Sequence, residues 1–328
     1  MKNIELPRTV LVGQGAIRKV SEIVFWMPLK GISYVVCDEN TRKIAGEDVA
    51  NQLNSDIIES SDPDEIISKG GSANFLLAVG GGSIIDAVKI ASKKLQVPFI
   101  SIPTSASHDG IVSPQASIKK GKPVSMKTQS PIAVIADTTI IAKAPQRLLS
   151  SGCADAISNY TAVLDWKLAK EEKGEYYGDY AAALSELSAN IIMDNADKAL
   201  NDISMVVEAL ISSGVAIGIA GSSRPCSGSE HAFSHALDLI CEQPALHGEQ
   251  CGVGTIIMAY LHDADWMKVK DSLKKVNAPV DAAGLNITEE DVIQALTTAH
   301  SLRDRYTILR KGLSEERARE VAEKTGVI

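Results

Sequence analysis

Strand signals in this chain stop before Pro145, and only helical periodicity follows to Ile328. Ahead of that point, short runs rich in β-branched residues alternate with helical stretches. The strand candidates are residues 9–12, 33–37, 56–59, 75–79, 98–102 and 132–135, and helical patterns occupy 16–24, 41–53, 62–69 and 83–95 between them. Apolar strands separated by helices pair as a parallel sheet covered on both faces. Residues 117–126, with Lys119-Lys120-Gly121-Lys122 at their centre, read as a hairpin set into that pattern.

The second half carries helical patterns at 145–169, 176–212, 230–242, 248–263, 266–276, 289–302 and 315–325. The expected architecture is an α/β domain over residues 1–146 with a Rossmann-like parallel sheet, then an all-α domain over 147–328. A chain of 328 residues is long enough for two such cores. Its formal charge of −8 offers a nucleic acid no basic face, so no nucleic-acid partner is expected. The longest apolar run, 206–220, is broken by Ser212, Ser213 and Gly214 and is short for a bilayer. It reads as a buried core helix, with no integral membrane association. Residues 1–10 lack the apolar stretch of a signal peptide. Five cysteines, an odd number with no C-x-x-C pair, fit a reducing cytoplasmic setting.

Three of the six histidines fall within 17 residues, His231, His235 and His247. His231 and His235 are four apart in a helical pattern, so both imidazoles project from one face. His247 follows Pro244, where the chain can turn back towards that face. Neutral imidazole is the commonest side-chain metal ligand, and catalytic zinc takes three protein ligands and leaves a position open. Two surface histidines and one satisfied in the core would read the same way. Asp155 sits among small and apolar residues, where an ionised carboxylate is costly unless paired or bound to metal. A helix N-cap is the alternative.

Residues 78–86, Ala-Val-Gly-Gly-Gly-Ser-Ile-Ile-Asp, end a strand and open a helix. Glycines let backbone N–H groups approach a phosphate, and the helix N-terminus adds partial positive charge. Ser83 is placed to cap that helix. The spacing is not G-x-G-x-x-G, and a merely tight turn has the same composition. Asp38 follows the second strand, where an acid can hold an adenosine ribose or simply lie in a surface loop. Pro103 to Gly110 follows the fifth strand and brings hydroxyls, His108 and Asp109 to the crevice.

Taken in order, Gly80-Gly81-Gly82-Ser83-x-x-Asp86, Thr104 to Gly110, Gly152-Cys153-Ala154-Asp155, Ser227 to His231 and His247-Gly248-Glu249 resemble the zinc- or iron-dependent polyol dehydrogenase superfamily. That superfamily includes glycerol dehydrogenase and dehydroquinate synthase. Within it the chain is most similar to the sn-glycerol-1-phosphate dehydrogenases, through Ser107 to Pro114, Gly221 to His231 and Arg305 to Leu309. The resemblance covers essentially the whole chain and implies the two-domain, dehydroquinate synthase-like architecture. It implies zinc held by Asp155, His231 and His247, with Asp109, Asp155 and His235 at the substrate. It also implies NAD or NADP bound by Gly80, Gly81, Gly82, Ser83, Ile84, Asp86, Thr104, Ser105, Ser107 and Ser113. Asp38 lies where the choice between the two cofactors could be decided. The implied reaction is reduction of dihydroxyacetone phosphate to sn-glycerol 1-phosphate for archaeal-type membrane lipids, by a homo-oligomer.

Zinc in such a site polarises the ketone for hydride delivery, and His235 or Asp109 supplies the proton. The substrate phosphate needs a cation; Arg224 is the first candidate and Arg305 the second, a surface arginine being the alternative. Rival readings are glycerol dehydrogenase-like oxidation of unphosphorylated polyols, a dehydroquinate-synthase-like lyase, and a zinc-stabilised interaction protein without activity.

Overall fold

The computed structural model describes residues 4–120 and 122–328. Gly121, in the turn of the expected hairpin, lies outside the described residues, as do the first three residues of the N-terminal stretch. The strands are β1 (Thr9–Gly13), β2 (Ser33–Cys37), β3 (Asp56–Glu59), β4 (Phe75–Gly80), β5 (Phe99–Pro103), β6 (Gln115–Lys120), β7 (Lys122–Lys127) and β8 (Ala133–Asp137). Six of them form one parallel sheet in the order β1-β8-β5-β4-β2-β3, and β6 and β7 pair as the antiparallel hairpin.

The first half adds helices α1 (Val20–Trp26), α2 (Glu39–Thr41), α3 (Glu47–Leu53), α4 (Pro63–Lys69), α5 (Gly82–Leu95) and α6 (Thr138–Ile141). The inner strands β2, β4, β5 and β8 are buried on both sides, as a doubly covered parallel sheet demands, and the edge strands β1 and β3 are more exposed. Val35, Leu77, Ile100 and Ile135 pack with Val20 and Val49 on one face, while Val36, Leu76, Phe99 and Val134 pack with Ile66 and Ile85 on the other. Full burial of each such side chain contributes about 1.5–3 kcal/mol. From β2 the chain runs outward to β3, and from β4 it runs the other way to β5. The strand order therefore reverses between β2 and β4, and a crevice opens at their carboxyl ends. Asp38 and the Gly80–Gly82 turn stand there.

The second half holds α7 (Gln146–Lys173), α8 (Asp179–Asp194), α9 (Ala196–Ala199), α10 (Ile203–Ala220), α11 (Ser229–Ile240), α12 (His247–Leu261), α13 (Trp266–Lys275), α14 (Glu289–Thr298) and α15 (Glu315–Thr325). The long helix expected over 176–212 is three. Helix α8 ends at Asn195, and the Asp202 carboxylate accepts from the Met205 N–H to start α10. Among the described residues α10 is the one helix long and apolar enough to cross a membrane, with a mean hydropathy of 1.9. Its Ser213 hydroxyl instead accepts from buried Asn159 Nδ2 at 2.7 Å and contacts Ser188. Helix α10 is thus a core helix packed on α7 and α8, as expected. The expected cap at Ser83 is absent: α5 begins at Gly82 behind an extended Gly81, which has no side chain to cap the first turn. Those N–H groups are left for a ligand.

Candidate active site

Two close backbone approaches bring the site together. Helix α7 passes the loop after β5 at Gly152, where a Cβ would lie 2.0 Å from the Ala106 carbonyl oxygen. Helix α12 starts against α7 at Gly248, where a Cβ would lie 2.0 Å from the Ser151 carbonyl oxygen. Asp155, one turn along α7 from Ser151, is buried mid-helix and so is not an N-cap. The N-cap of α12 is Leu246, so His247 is the first residue of that helix. His231 enters from α11, its ring centroid 4.9 Å from that of His247. His247 Nε2 is 3.9 Å from Asp155 Oδ1. One ligand atom from each of Asp155, His231, His247 and Cys251 lies within 4.8 Å of the others. Bonds of 2.0–2.3 Å to a tetrahedral zinc put ligand atoms roughly 3.3–3.8 Å apart, so small side-chain shifts suffice to share one ion.

The charges point the same way. Burial and the neighbouring Asp109 carboxylate push the Asp155 carboxyl well above the usual range, and burial raises Asp109. Burial, with Asp165 nearby, pushes Glu230 up to about 7. Burial, then Arg303, holds His231 down at about 3, neutral and able to ligate. Buried acids beside neutral imidazoles make a donor set that a divalent cation would complete. Burial also keeps the Cys251 thiol protonated, which leaves it the weakest of the four donors.

Glu230, fully buried, accepts from Thr161 Oγ1 at 2.9 Å and from the Gly228 N–H at 2.5 Å, and its Oε1 lies 2.9 Å from His231 Nδ1. A carboxylate on one imidazole nitrogen fixes the tautomer and frees the other for metal.

Asp109 opens a short 3-10 turn beside Asp155, which accepts its N–H at 2.9 Å. That turn rests on α10 at Gly214, where a Cβ would lie 2.3 Å from Val112. His235 Nε2 is 2.7 Å from Arg303 Nη2, and its ring centroid is 6.0 Å from that of His247. Burial, then Arg303, lowers His235 to about 2, so it stays neutral. Arg224 lies further out: Nη1 donates to the Tyr306 carbonyl at 2.7 Å and Nη2 pairs with Glu175.

Across from these groups, Gly80 on β4 is in register with Pro103 on β5, which sets the glycine turn beside the Thr104–Ser107 loop. The Thr104 N–H donates to the Gly80 carbonyl, and Ser105 Oγ lies 3.4 Å from a Cβ built on Gly81. A Cβ on Gly82 would lie 2.2 Å from His108 Nε2, and the His108 ring stands 6.5 Å from that of His247. His108 thus spans from the glycine turn to the metal ligands. Ser107 contributes its carbonyl to Ser151 Oγ, the Ser113 N–H donates to the Asp109 carbonyl, and Ile84 is fully buried under the turn. Asp86 is paired with buried Lys89 at 2.9 Å and accepts the Ser117 N–H, so it anchors the hairpin beneath the crevice. Asp38 caps α2 through Thr41.

Glu230, Cys251 and Arg303 join the site although the sequence reading gave them no role, and His108, expected only at the crevice, reaches the metal ligands. Glu230 and His108 lay inside segments already singled out, and Cys251 follows His247 by one helical turn. Arg303 had no signal beyond its nearness to Arg305.

A family profile described as iron-containing alcohol dehydrogenase matches residues 11–145. A Methanosarcina acetivorans protein named glycerol-1-phosphate dehydrogenase (NAD(P)+) is 50% identical over 345 residues, covering 100% of this chain and 97% of that protein. One of the same name from Pyrococcus furiosus is 49% identical and covers 100% of both chains. The crystal structure of glycerol dehydrogenase from Schizosaccharomyces pombe, 19% identical, shares the fold with a TM-score of 0.83 over 99% of this chain and 90% of that one. With half of its residues shared from end to end with such relatives, the chain belongs to the glycerol-1-phosphate dehydrogenase family.

Proposed function

We propose that this protein reduces dihydroxyacetone phosphate to sn-glycerol 1-phosphate with NADH or NADPH and a bound zinc ion, as a cytoplasmic homo-oligomer supplying archaeal-type membrane phospholipids. The observation that carries the reading is the meeting of Asp155, His231 and His247 across a crevice from an uncapped glycine turn. Full-length identity to relatives named for this activity supports it over the glycerol dehydrogenase, lyase and inactive readings.

Residues 1–146 would hold the cofactor and residues 147–328 the metal. Asp155, His231 and His247 would ligate the ion, with Glu230 orienting His231. The N–H groups of Gly81, Gly82, Ser83 and Ile84 would face the pyrophosphate, with Thr104, Ser105, Ser107 and Ser113 along the same wall and Asp38 at the ribose end. Asp86 would act from below through Lys89. When bound, the cation supplies Lewis-acid polarisation of a ketone oxygen and the reduced nicotinamide supplies a hydride.

Reduction of a ketone also consumes one proton, delivered at the oxygen. Asp109 is suited to hold it, since burial raises its carboxyl towards the protonated form. His235 remains neutral, its Nε2 lone pair turned to Arg303 and its proton on Nδ1. It would hold Arg303 in place beside the crevice, and in the neutral form it has no acidic proton to give, which leaves that role to Asp109. Burial of Asp155, His231 and Glu230 excludes water from the reacting end.

The test compares oxidation of NADH and NADPH with dihydroxyacetone phosphate and with dihydroxyacetone, followed by chiral analysis of the product. Preference for the phosphorylated ketone and formation of sn-glycerol 1-phosphate are expected. Equal rates on both ketones, or the opposite enantiomer, would overturn the reading.

A further inference from the structure

Helix α11, which carries His231, begins at Gly228 with no side chain of its own to cap it. The first N–H groups of a helix have no partner inside it and need an acceptor from elsewhere. Glu230 takes the N–H of Gly228 and leaves that of Ser229. The Ser229 N–H goes to Asp165 Oδ2 on α7 at 2.6 Å, and the Ser229 hydroxyl donates to the same oxygen at 2.6 Å. Glycine fits at 228 where a side chain does not, since a Cβ there would lie 2.5 Å from that oxygen. A carboxylate from a neighbouring helix thus does the work of an N-cap.

The other oxygen of Asp165 is engaged as fully. Oδ1 accepts the Ile308 N–H at 2.6 Å and lies 3.0 Å from Nε2 of His262, the residue just past the last turn of α12. A carboxylate offers about four acceptor positions, and Asp165, fully buried, has a donor for each. Three helices therefore meet in one group, and each brings one of the proposed ligands: α7 carries Asp155, α11 His231 and α12 His247. On α11 the contact is made two residues from His231. On α12 it is made at the end away from His247, and it acts there by leverage. Helix α12 crosses α11 at Gly254, where a Cβ would lie 3.1 Å from the Glu230 carbonyl oxygen. That crossing is about midway between His247 and His262, so a swing of one end is carried to the other.

We propose that Asp165 is the residue that positions the metal ligands, joining α7, α11 and α12 so that Asp155, His231 and His247 keep one geometry. This rests on the ligand set proposed above and on nothing about the substrate. Asparagine cannot take its place. Ser229 can turn its hydroxyl and His262 can change tautomer, but each carboxylate oxygen also faces a backbone N–H, which can do neither. In Asp165→Asn the amide NH2 must oppose the Ser229 N–H or the Ile308 N–H, whichever way it is turned.

The test uses the full-length chain, loaded with zinc or with cobalt(II), as wild type, Asp165→Asn, Ser229→Ala and Asp202→Ala. In Asp165→Asn, zinc affinity by chelator competition is expected to fall roughly 10- to 100-fold, as when a group that orients a metal ligand is lost. The visible absorption bands of bound cobalt(II), which report ligand geometry, should shift with it. Ser229→Ala keeps the backbone contact and should show a smaller loss and a smaller shift. Asp202→Ala removes the cap of α10 and lowers Tm without touching any donor to Asp165. It should keep wild-type zinc affinity and wild-type bands. Unchanged affinity and bands in Asp165→Asn, or equal losses in Asp202→Ala, would overturn the proposal. If Asp165→Asn does not fold, Ser229→Ala decides: weaker zinc binding with shifted bands supports the proposal, and wild-type behaviour overturns it. A wild type that bound neither metal would overturn the ligand set itself, a different failure from zinc held equally by every variant.

Discussion

The Glu230 carboxylate stands 2.9 Å from Nδ1 of its own neighbour in sequence, His231, and is held there by Thr161 and the Gly228 N–H. It therefore accepts the Nδ1–H of that ring and leaves Nε2 free to ligate. Glu230→Gln keeps the size but weakens the acceptor. Zinc affinity measured by competition with a chelator is expected to fall about 10- to 100-fold, with little change in cofactor affinity. Unchanged zinc affinity would mean that Glu230 serves only to start α11.

Removing the ligand itself gives a sharper loss. His231→Ala deletes one of three strong donors, so bound metal and activity should disappear together. Cofactor affinity, followed by fluorescence titration, should stay measurable because the glycine turn lies on the opposite wall. A metal-free but active variant would refute the ligand set.

Burial and Arg303 hold His235 at about 2, against an ordinary 6.5, so the folded protein refuses a proton that the unfolded chain accepts. The unfolded state thus binds more protons between those limits, and stability rises with pH there. The contribution is fully present above pH 6.5 and is lost as the pH falls towards 2. In metal-free protein, a histidine behaving this way costs about 1.4 kcal/mol for each pH unit below 6.5. His235→Asn should flatten the acid side of a urea-midpoint-against-pH curve by about that slope. Parallel curves for wild type and variant would show that the ring protonates freely in the fold.

Legibility followed the range of the interaction. Strand β2 lies where its apolar run predicts and β4 within a residue of it, because turn residues bound each run and burial on both faces leaves little choice. The break between α8 and α10 was invisible, since residues on both sides of Asn195 and Asp202 favour helix and the stop comes from local capping. Ser83 was misread because glycine, by starting α5 one residue early, left the serine inside the first turn. His231, His235 and His247 were legible from spacing and from the intervening Pro244. The roles of Glu230 and Arg303 were not, because their partners Thr161 and Ser227 stand 69 and 76 residues away in the chain.

The start of α12 rests on one missing side chain. At Gly248 a Cβ would meet the Ser151 carbonyl oxygen at 2.0 Å and Ser151 Oγ at 2.7 Å. The hydroxyl can rotate away, but the carbonyl belongs to α7 and cannot move without displacing Asp155, four residues on. Gly248→Ala must therefore push α12 off α7 and carry His247 away from Asp155. Overpacking of this kind costs about 1–3 kcal/mol, roughly 2–10 °C in Tm. The loss of zinc affinity should exceed that of a variant equally destabilised elsewhere. Gly174→Ala is the control: at φ 66° with open space around its Cβ it strains the end of α7 far from the metal donors. It should lower Tm by a comparable amount and leave zinc affinity alone. If both variants bound zinc like the wild type, close contact between α7 and α12 would not be what brings His247 to Asp155.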